Sequence, residues 1–152
     1  MIIKNYEINK INVNKNRNFL LYGENQGLKD EIISSTFKKN YQGAVYSYEE
    51  SDLIKNKENF FSTLLTRSFF DNEKLIIILR ATDKVKDIIE EIIEKKIQDL
   101  ILVINSSALD RKSKLRTLFE KNKELICVPI YDDNTQTLTS LASNFFKQNK
   151  IQ

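Results

Sequence analysis

Lys74-Leu75-Ile76-Ile77-Ile78-Leu79-Arg80 decides the fold. Five consecutive apolar side chains between charged ends point to both faces of an extended segment, so both faces need cover, as in a central strand of a parallel sheet. Asp99-Leu100-Ile101-Leu102-Val103-Ile104 has the same character, as do Asn18-Phe19-Leu20-Leu21-Tyr22 and Leu125-Ile126-Cys127-Val128-Pro129-Ile130. Pro129 stands near the end of its run, where a missing N–H matters least. Ala44-Val45-Tyr46-Ser47-Tyr48 is shorter and alternates.

Helical periodicities fill the intervals. Leu28 to Lys38 turns Leu28, Ile32, Ile33 and Phe37 inward, and a helix from about Lys57 to Ser68 carries Phe60, Phe61, Leu64 and Leu65 on one stripe. Val85, Ile88, Ile89, Ile92 and Ile93 recur at i, i+3, i+4, i+7 and i+8, with Thr82 or Asp83 as N-cap. Asp110 caps a helix running to Asn122 with Leu115, Leu118 and Phe119 inward. Strands alternating with helices predict an α/β fold, a five-stranded parallel sheet with helices on both faces and right-handed crossovers. Residues 1–131 form this domain. Thr135 to Lys150 is a further helix carrying Leu138, Leu141, Ala142, Phe145 and Phe146.

The chain has 152 residues, a length that fits one main domain. Ile (20), Lys (19) and Asn (16) are over-used against 3 Gly and 1 Pro, a bias of AT-rich coding that fills neutral surface with Lys and Asn. A net charge of +3 is therefore no nucleic-acid footprint. No histidine is present, which removes the commonest general base, and a single cysteine excludes the usual zinc clusters. No spacing pairs a nucleophile with a base, so neither catalytic residues nor metal ligands are expected. Cys127, inside an apolar run, reads as a small buried hydrophobe. Met1 to Glu7 lacks a secretory apolar stretch and no run reaches membrane length, so a cytoplasmic protein is expected.

Gly23-Glu24-Asn25-Gln26-Gly27-Leu28-Lys29-Asp30, between a strand and a helix, invites comparison with the phosphate-binding pattern G-x-x-x-x-G-K-[ST]. Gly23 fits and Lys29 stands at the required offset. Leu28 takes the place of the second glycine, with Gly27 one position early, and Asp30 replaces the magnesium-binding hydroxyl. Asp30 and Glu24 would repel a triphosphate. Neither Leu79-Arg80 nor Ile104-Asn105 ends its strand in a carboxylate, and Asp83 is better read as a helix cap. The loop Gly23, Gly27, Lys29 is degenerate, and no cofactor is expected.

Beyond Leu65 the stripe meets polar Arg67 and Ser68. Phe69 returns at its far edge and Phe70 points away from the core, just before the turn signal Asp71-Asn72. The pair is either an apolar plug for another protein or, if the helix ends at Arg67, part of the core.

Phe19-Leu20-Leu21-Tyr22-Gly23-Glu24-Asn25, Ser68-Phe69-Phe70 with Leu75 to Leu79, Asp99 to Ile104, Lys112-Ser113-Lys114-Leu115 and Cys127-Val128-Pro129 follow one another in an order that resembles the N-terminal domain of the delta subunit of the bacterial DNA polymerase III clamp loader. The resemblance covers nearly the whole chain. It implies a P-loop NTPase-like, AAA+-like fold without ATP binding, and a non-catalytic subunit of a DNA polymerase holoenzyme. Ser68, Phe69 and Phe70 would be the clamp-binding residues, Phe69 standing where Leu is usual. The implied partners are the sliding clamp, other clamp-loader subunits where further C-terminal domains exist, and DNA indirectly. Residues 132–152 would be the first helix of a truncated helical domain. The basic run Arg111, Lys112, Lys114, Arg116 and Lys121 is read as a solvated face. The alternatives are a degenerate P-loop NTPase using Lys29, or a scaffold that self-associates through the Phe pair.

Overall fold

The computed structural model describes residues 1–11, 15–65, 73–97 and 99–130, the side chains of Asn5, Asn9 and Lys10 excepted. The apolar runs form five strands: β1 (Asn18–Tyr22), β2 (Ala44–Glu49), β3 (Lys74–Ala81), β4 (Leu100–Ser106) and β5 (Leu125–Pro129). All pair in parallel, in the order β2-β3-β4-β1-β5. β3, β4 and β1 occupy the middle, and Leu75 to Ile78, Leu102 to Ile104 and Phe19 to Leu21 are at most 1% exposed. The expected parallel α/β sheet is present.

The two-residue period of the strands divides the core by face. Phe19, Leu21, Leu75, Ile77, Val103, Ile126 and Val128 meet Ile32, Ile33 and Phe37 from α1 (Gln26–Ile32) and the π-type turn Ile33–Lys38 that continues it. Leu20, Ile76, Ile78, Leu102, Ile104 and Cys127 face four helices: α2 (Glu50–Lys55), α3 (Lys57–Leu65), α4 (Lys86–Glu94) and α5 (Lys114–Lys121). Helices thus cover both faces, unequally. The N-terminal segment adds a short parallel bridge at the β5 edge, where Ile3 N–H donates to Cys127 O at 2.9 Å and Cys127 N–H to Met1 O at 2.8 Å.

Two local expectations need correction, and α2 is a short helix beyond those expected. Asn56 separates α2 from α3: its backbone N–H and side-chain amide both donate to Asp52 O, at 3.0 and 3.2 Å, and close α2 one residue before α3 begins. The N-cap of α5 is Ser113, whose hydroxyl accepts from Arg116 N–H at 3.2 Å, while Asp110 accepts from Lys112 N–H in the preceding turn. Leu65, expected inward, is 57% exposed and lies outside the buried patch made by Phe60, Phe61 and Leu64.

Candidate functional site

In parallel α/β sheets ligands bind beyond the carboxyl ends of the strands, where successive crossovers leave toward opposite faces. Here β1 leads to α1 on one face, and its neighbour β4 leads to α5 on the other. The loop Gly23 to Gly27 lies at that switch point. Gly23 holds φ +139° and its N–H donates to Ser107 O at 3.3 Å. A Cβ there would stand 1.6 Å from Ile130 O, so only glycine fits. Asn25 then caps α1, its side chain accepting from Leu28 N–H at 3.1 Å.

Lys29 is the residue that settles what this loop can do. It is 1% exposed, and its ammonium donates to Ser106 O, at the end of β4, at 2.7 Å. Burial holds the ammonium below the ordinary lysine range, and neighbouring Asp30 offsets part of that effect. Asp30 itself points outward and accepts from Gln26 Nε2 at 2.8 Å. In this arrangement the lysine's charge is committed to the protein's own backbone at the end of β4. Gly27 sits in the first turn of α1, where a Cβ would meet Asn25 Oδ1 at an ordinary 3.8 Å.

A polar seam continues along the same sheet end. Ser106 Oγ donates to Ala81 O at 2.6 Å, tying β4 to β3. Glu50, 7% exposed at the start of α2, accepts from the N–H and hydroxyl of Thr82 at 3.0 and 2.9 Å. Thr82 caps the turn Asp83–Val85. Asp83 is a cap as expected, but of a different helix: it accepts from Ser113 Oγ at 2.6 Å and from Lys114 and Leu115 N–H at 3.1 Å, at the start of α5. The Asp83 carboxyl lies below its ordinary range: burial pushes it up, and the bonds from Ser113, Leu115 and Lys114 outweigh that. Among the described residues no group of three or more His, Cys, Asp or Glu could hold a metal ion, and no helix is long and apolar enough to cross a membrane.

The proposed plug residues Ser68, Phe69 and Phe70 lie outside the described residues. Their upstream support is well defined. Phe60 packs edge-on against Tyr48 of β2 at 5.1 Å and against Phe61 at 5.6 Å. Lys57 and Lys95 place their ammonium groups 5.9 and 5.7 Å from the Phe61 ring. Lys74 Nζ donates to Thr63 O at 2.5 Å, fixing the last turn of α3 to the start of β3. Sequence reasoning missed Glu50 and the burial of Lys29. The second had a signal, since Lys29, Ile32 and Ile33 share one helical stripe at i, i+3 and i+4.

Sheet and loop together define a parallel α/β domain in which the lysine after the β1 loop is buried and bonded to the end of β4. A family model described as DNA polymerase III, delta subunit, matches residues 19–129, from the first fully buried residue of β1 to the last residue of β5. The chain belongs to that family, as its N-terminal domain, and so to the context of the clamp-loader complex. No curated protein matches the chain.

Proposed function

We propose that this domain binds the ring-shaped sliding clamp through Ser68, Phe69 and Phe70 and helps open it for loading onto primed DNA. The family match carries the reading, because it spans the α3–β3 connection in which these residues lie. Two features of the surroundings support it. The helix leading into the segment is a strut fixed by Phe60, Phe61 and Leu64, each at most 8% exposed, and its end turns apolar Leu65 to solvent. Lys29 is buried and bonded to Ser106 O, which suits a subunit that leaves ATP to its partners.

The fold is then a P-loop-like, AAA+-like domain with an eroded nucleotide site, and residues 132–152 begin a second, helical domain. Burying one Phe contributes about 1.5–3 kcal/mol, so the pair supplies about 3–6 kcal/mol to the complex. Opening the ring further requires tighter binding to the open form than to the closed one, since equal affinity shifts nothing. The test is direct binding to the cognate clamp. Phe69→Ala with Phe70→Ala should weaken it by about 10²–10⁴-fold, and a loss under about threefold would discard these residues as the plug.

A further inference from the structure

The two edges of the sheet differ. At β5 the outer edge is occupied by the N-terminal segment, through the Ile2–Cys127 bridge and the bonds that Met1 and Ile3 share with Cys127. At β2 no described strand pairs on the side away from β3. Ala44 N–H donates to Glu73 O at 3.2 Å, so in this parallel ladder Ala44, Tyr46 and Tyr48 turn their backbone groups toward β3. The N–H groups of Val45, Ser47 and Glu49 therefore point out of the sheet. Natural sheets guard such an edge with lysine, proline or a bulge. β2 has none of these: its register with β3 runs unbroken from Ala44 to Glu49, its one charged residue is Glu49, and Val45 and Ser47 are exposed.

We propose that β2 pairs antiparallel with β2 of a second copy of this chain, joining two sheets across a two-fold axis at Ser47. One register uses all three outward residues. In it Ser47 faces the second copy's Ser47, and Val45 faces Glu49 in each direction across the axis. Such antiparallel pairs exchange N–H···O bonds, so the Ser47 and Glu49 N–H groups of each copy find carbonyl acceptors in the other. A shift by two residues either way leaves Val45 or Glu49 without a partner inside the strand. The side chains fit the same register. An axis perpendicular to the sheet keeps each face on its own side, so Tyr46 lies beside the second copy's Tyr48 as an aromatic cross-strand pair. This continues the face on which Tyr48 already packs edge-on against Phe60. On the other face the carboxylate of Glu49 meets aliphatic Val45, and no like charges oppose each other. Pairing of this isologous kind closes at two copies. The 6 residues of β2 are far fewer than the ~20–30 a side of a standard interface, so the dimer is weak and concentration-dependent. The proposal goes beyond clamp binding and does not depend on it.

The experiment is analytical ultracentrifugation of the full chain over a concentration series reaching about 1 mM. The wild-type chain should pass from monomer to dimer and no further. Ser47→Lys and Ser47→Asp each set like charges face to face on the two-fold axis, and each alone should weaken the dimer by about tenfold or more. Mixed in equal amounts at low salt, the two should form a heterodimer at least as tight as the wild-type dimer. Ser47→Pro removes an N–H that the ladder to β3 does not use, so it should weaken the dimer while the monomer stays folded. Phe69→Ala with Phe70→Ala should dimerise as the wild type does, and Ser47→Lys should bind the clamp as the wild type does. The two readings therefore fail separately. A chain that stays monomeric to about 1 mM, or a dimer indifferent to the Ser47 variants, would overturn the proposal. So would a dimer lost with the Phe pair. Dissociation by Ser47→Lys and Ser47→Asp without recovery on mixing would overturn the two-fold register.

Discussion

Lys29 Nζ and Ser106 O stand 2.7 Å apart across 77 residues of chain, joining the first helix to the end of β4 inside the crevice where a parallel α/β sheet ordinarily receives its ligand. The bond turns a position suited to phosphate recognition into part of the scaffold. Replacing the lysine therefore tests structure and ligand chemistry together.

Lys29→Met keeps most of the stem and removes the donor, leaving a buried carbonyl without its partner at a cost of about 1–3 kcal/mol. For a domain of this size the thermal midpoint should fall by about 2–12 °C. Mg-ATP should leave the midpoint of the wild-type protein unchanged. A clear rise with nucleotide would mean that the lysine can leave Ser106 and that the NTPase reading holds, since binding stabilises the folded state by mass action.

Gly23 makes the same point from the backbone. Gly23→Ala would need a Cβ at 1.6 Å from Ile130 O in a conformation that L-residues rarely adopt. The loop or β5 must move, so a loss of about 3 kcal/mol or more is expected in urea unfolding. Gly27→Ala has room for its Cβ and lies within α1, so it should be neutral or slightly stabilising.

Where the fold was legible, one rule was at work: continuous apolar runs such as Leu75 to Leu79 have no stable arrangement except a strand covered on both faces. That rule located β1, β3, β4 and β5 within a residue or two at each end. Short elements with one inward residue were not legible. In α2 only Leu53 supplies apolar burial, too little for a period. Periodicity counts lysine as polar and so leaves Lys29 off the inward face of the helix, although its stem lies on the buried stripe of α1. Leu65 was placed inward because periodicity does not record the extent of the buried patch. For Ser68, Phe69 and Phe70 the reading still rests on the sequence and on family membership.

Asp83 should give the protein an acid-side stability slope. Folding lowers its pKa, so over the interval between the two values the unfolded chain binds more protons than the native one. Its contribution is present above the unfolded value of about 4 and disappears as pH falls through the folded value. Asp83→Asn should cost about 1 kcal/mol near pH 7, the scale of a lost helix cap partly open to solvent, and less near pH 3. Thermal melts of both proteins across that range test this. A constant difference at all pH values would show that the carboxylate charge plays no part.

Cys127 behaves in the opposite sense. Burial, reinforced by Glu120, pushes its thiol up to about 12. The native state therefore keeps a proton that the unfolded chain loses near pH 8.5. The associated stability is complete below that value and is lost as pH rises toward the folded one. Labelling with a thiol reagent at pH 8.5 should proceed only at the rate of unfolding, and mild denaturant should accelerate it. Cys127→Ala should make the alkaline slope shallower by the thiol's share, leaving that of Tyr48, whose phenol is also raised by burial.

Lys74 offers a way to disturb the support of the proposed plug from a residue outside Ser68, Phe69 and Phe70. The connection from Leu65 to Glu73 is held at both ends. Lys74 Nζ reaches Thr63 O at 2.5 Å, and Arg17 pairs with Glu73 at 2.5 Å while Ala44 N–H donates to Glu73 O at 3.2 Å. Lys74→Met frees the last turn of α3 while leaving Phe60, Phe61 and Leu64 to hold the rest of the helix. Its stability cost should stay at about 1 kcal/mol, the net scale of one half-exposed hydrogen bond. If the strut positions Phe69 and Phe70, ordering that turn must then be done by the clamp. Affinity should fall by about 3- to 10-fold, the equivalent of about 0.7–1.4 kcal/mol, through faster dissociation. Combined with Phe69→Ala and Phe70→Ala, Lys74→Met should add little further loss, because residues acting through one contact are not additive. Full additivity in that triple variant would mean that Lys74 serves only the fold, and that the clamp-binding surface, if present, does not draw on the rigidity of α3.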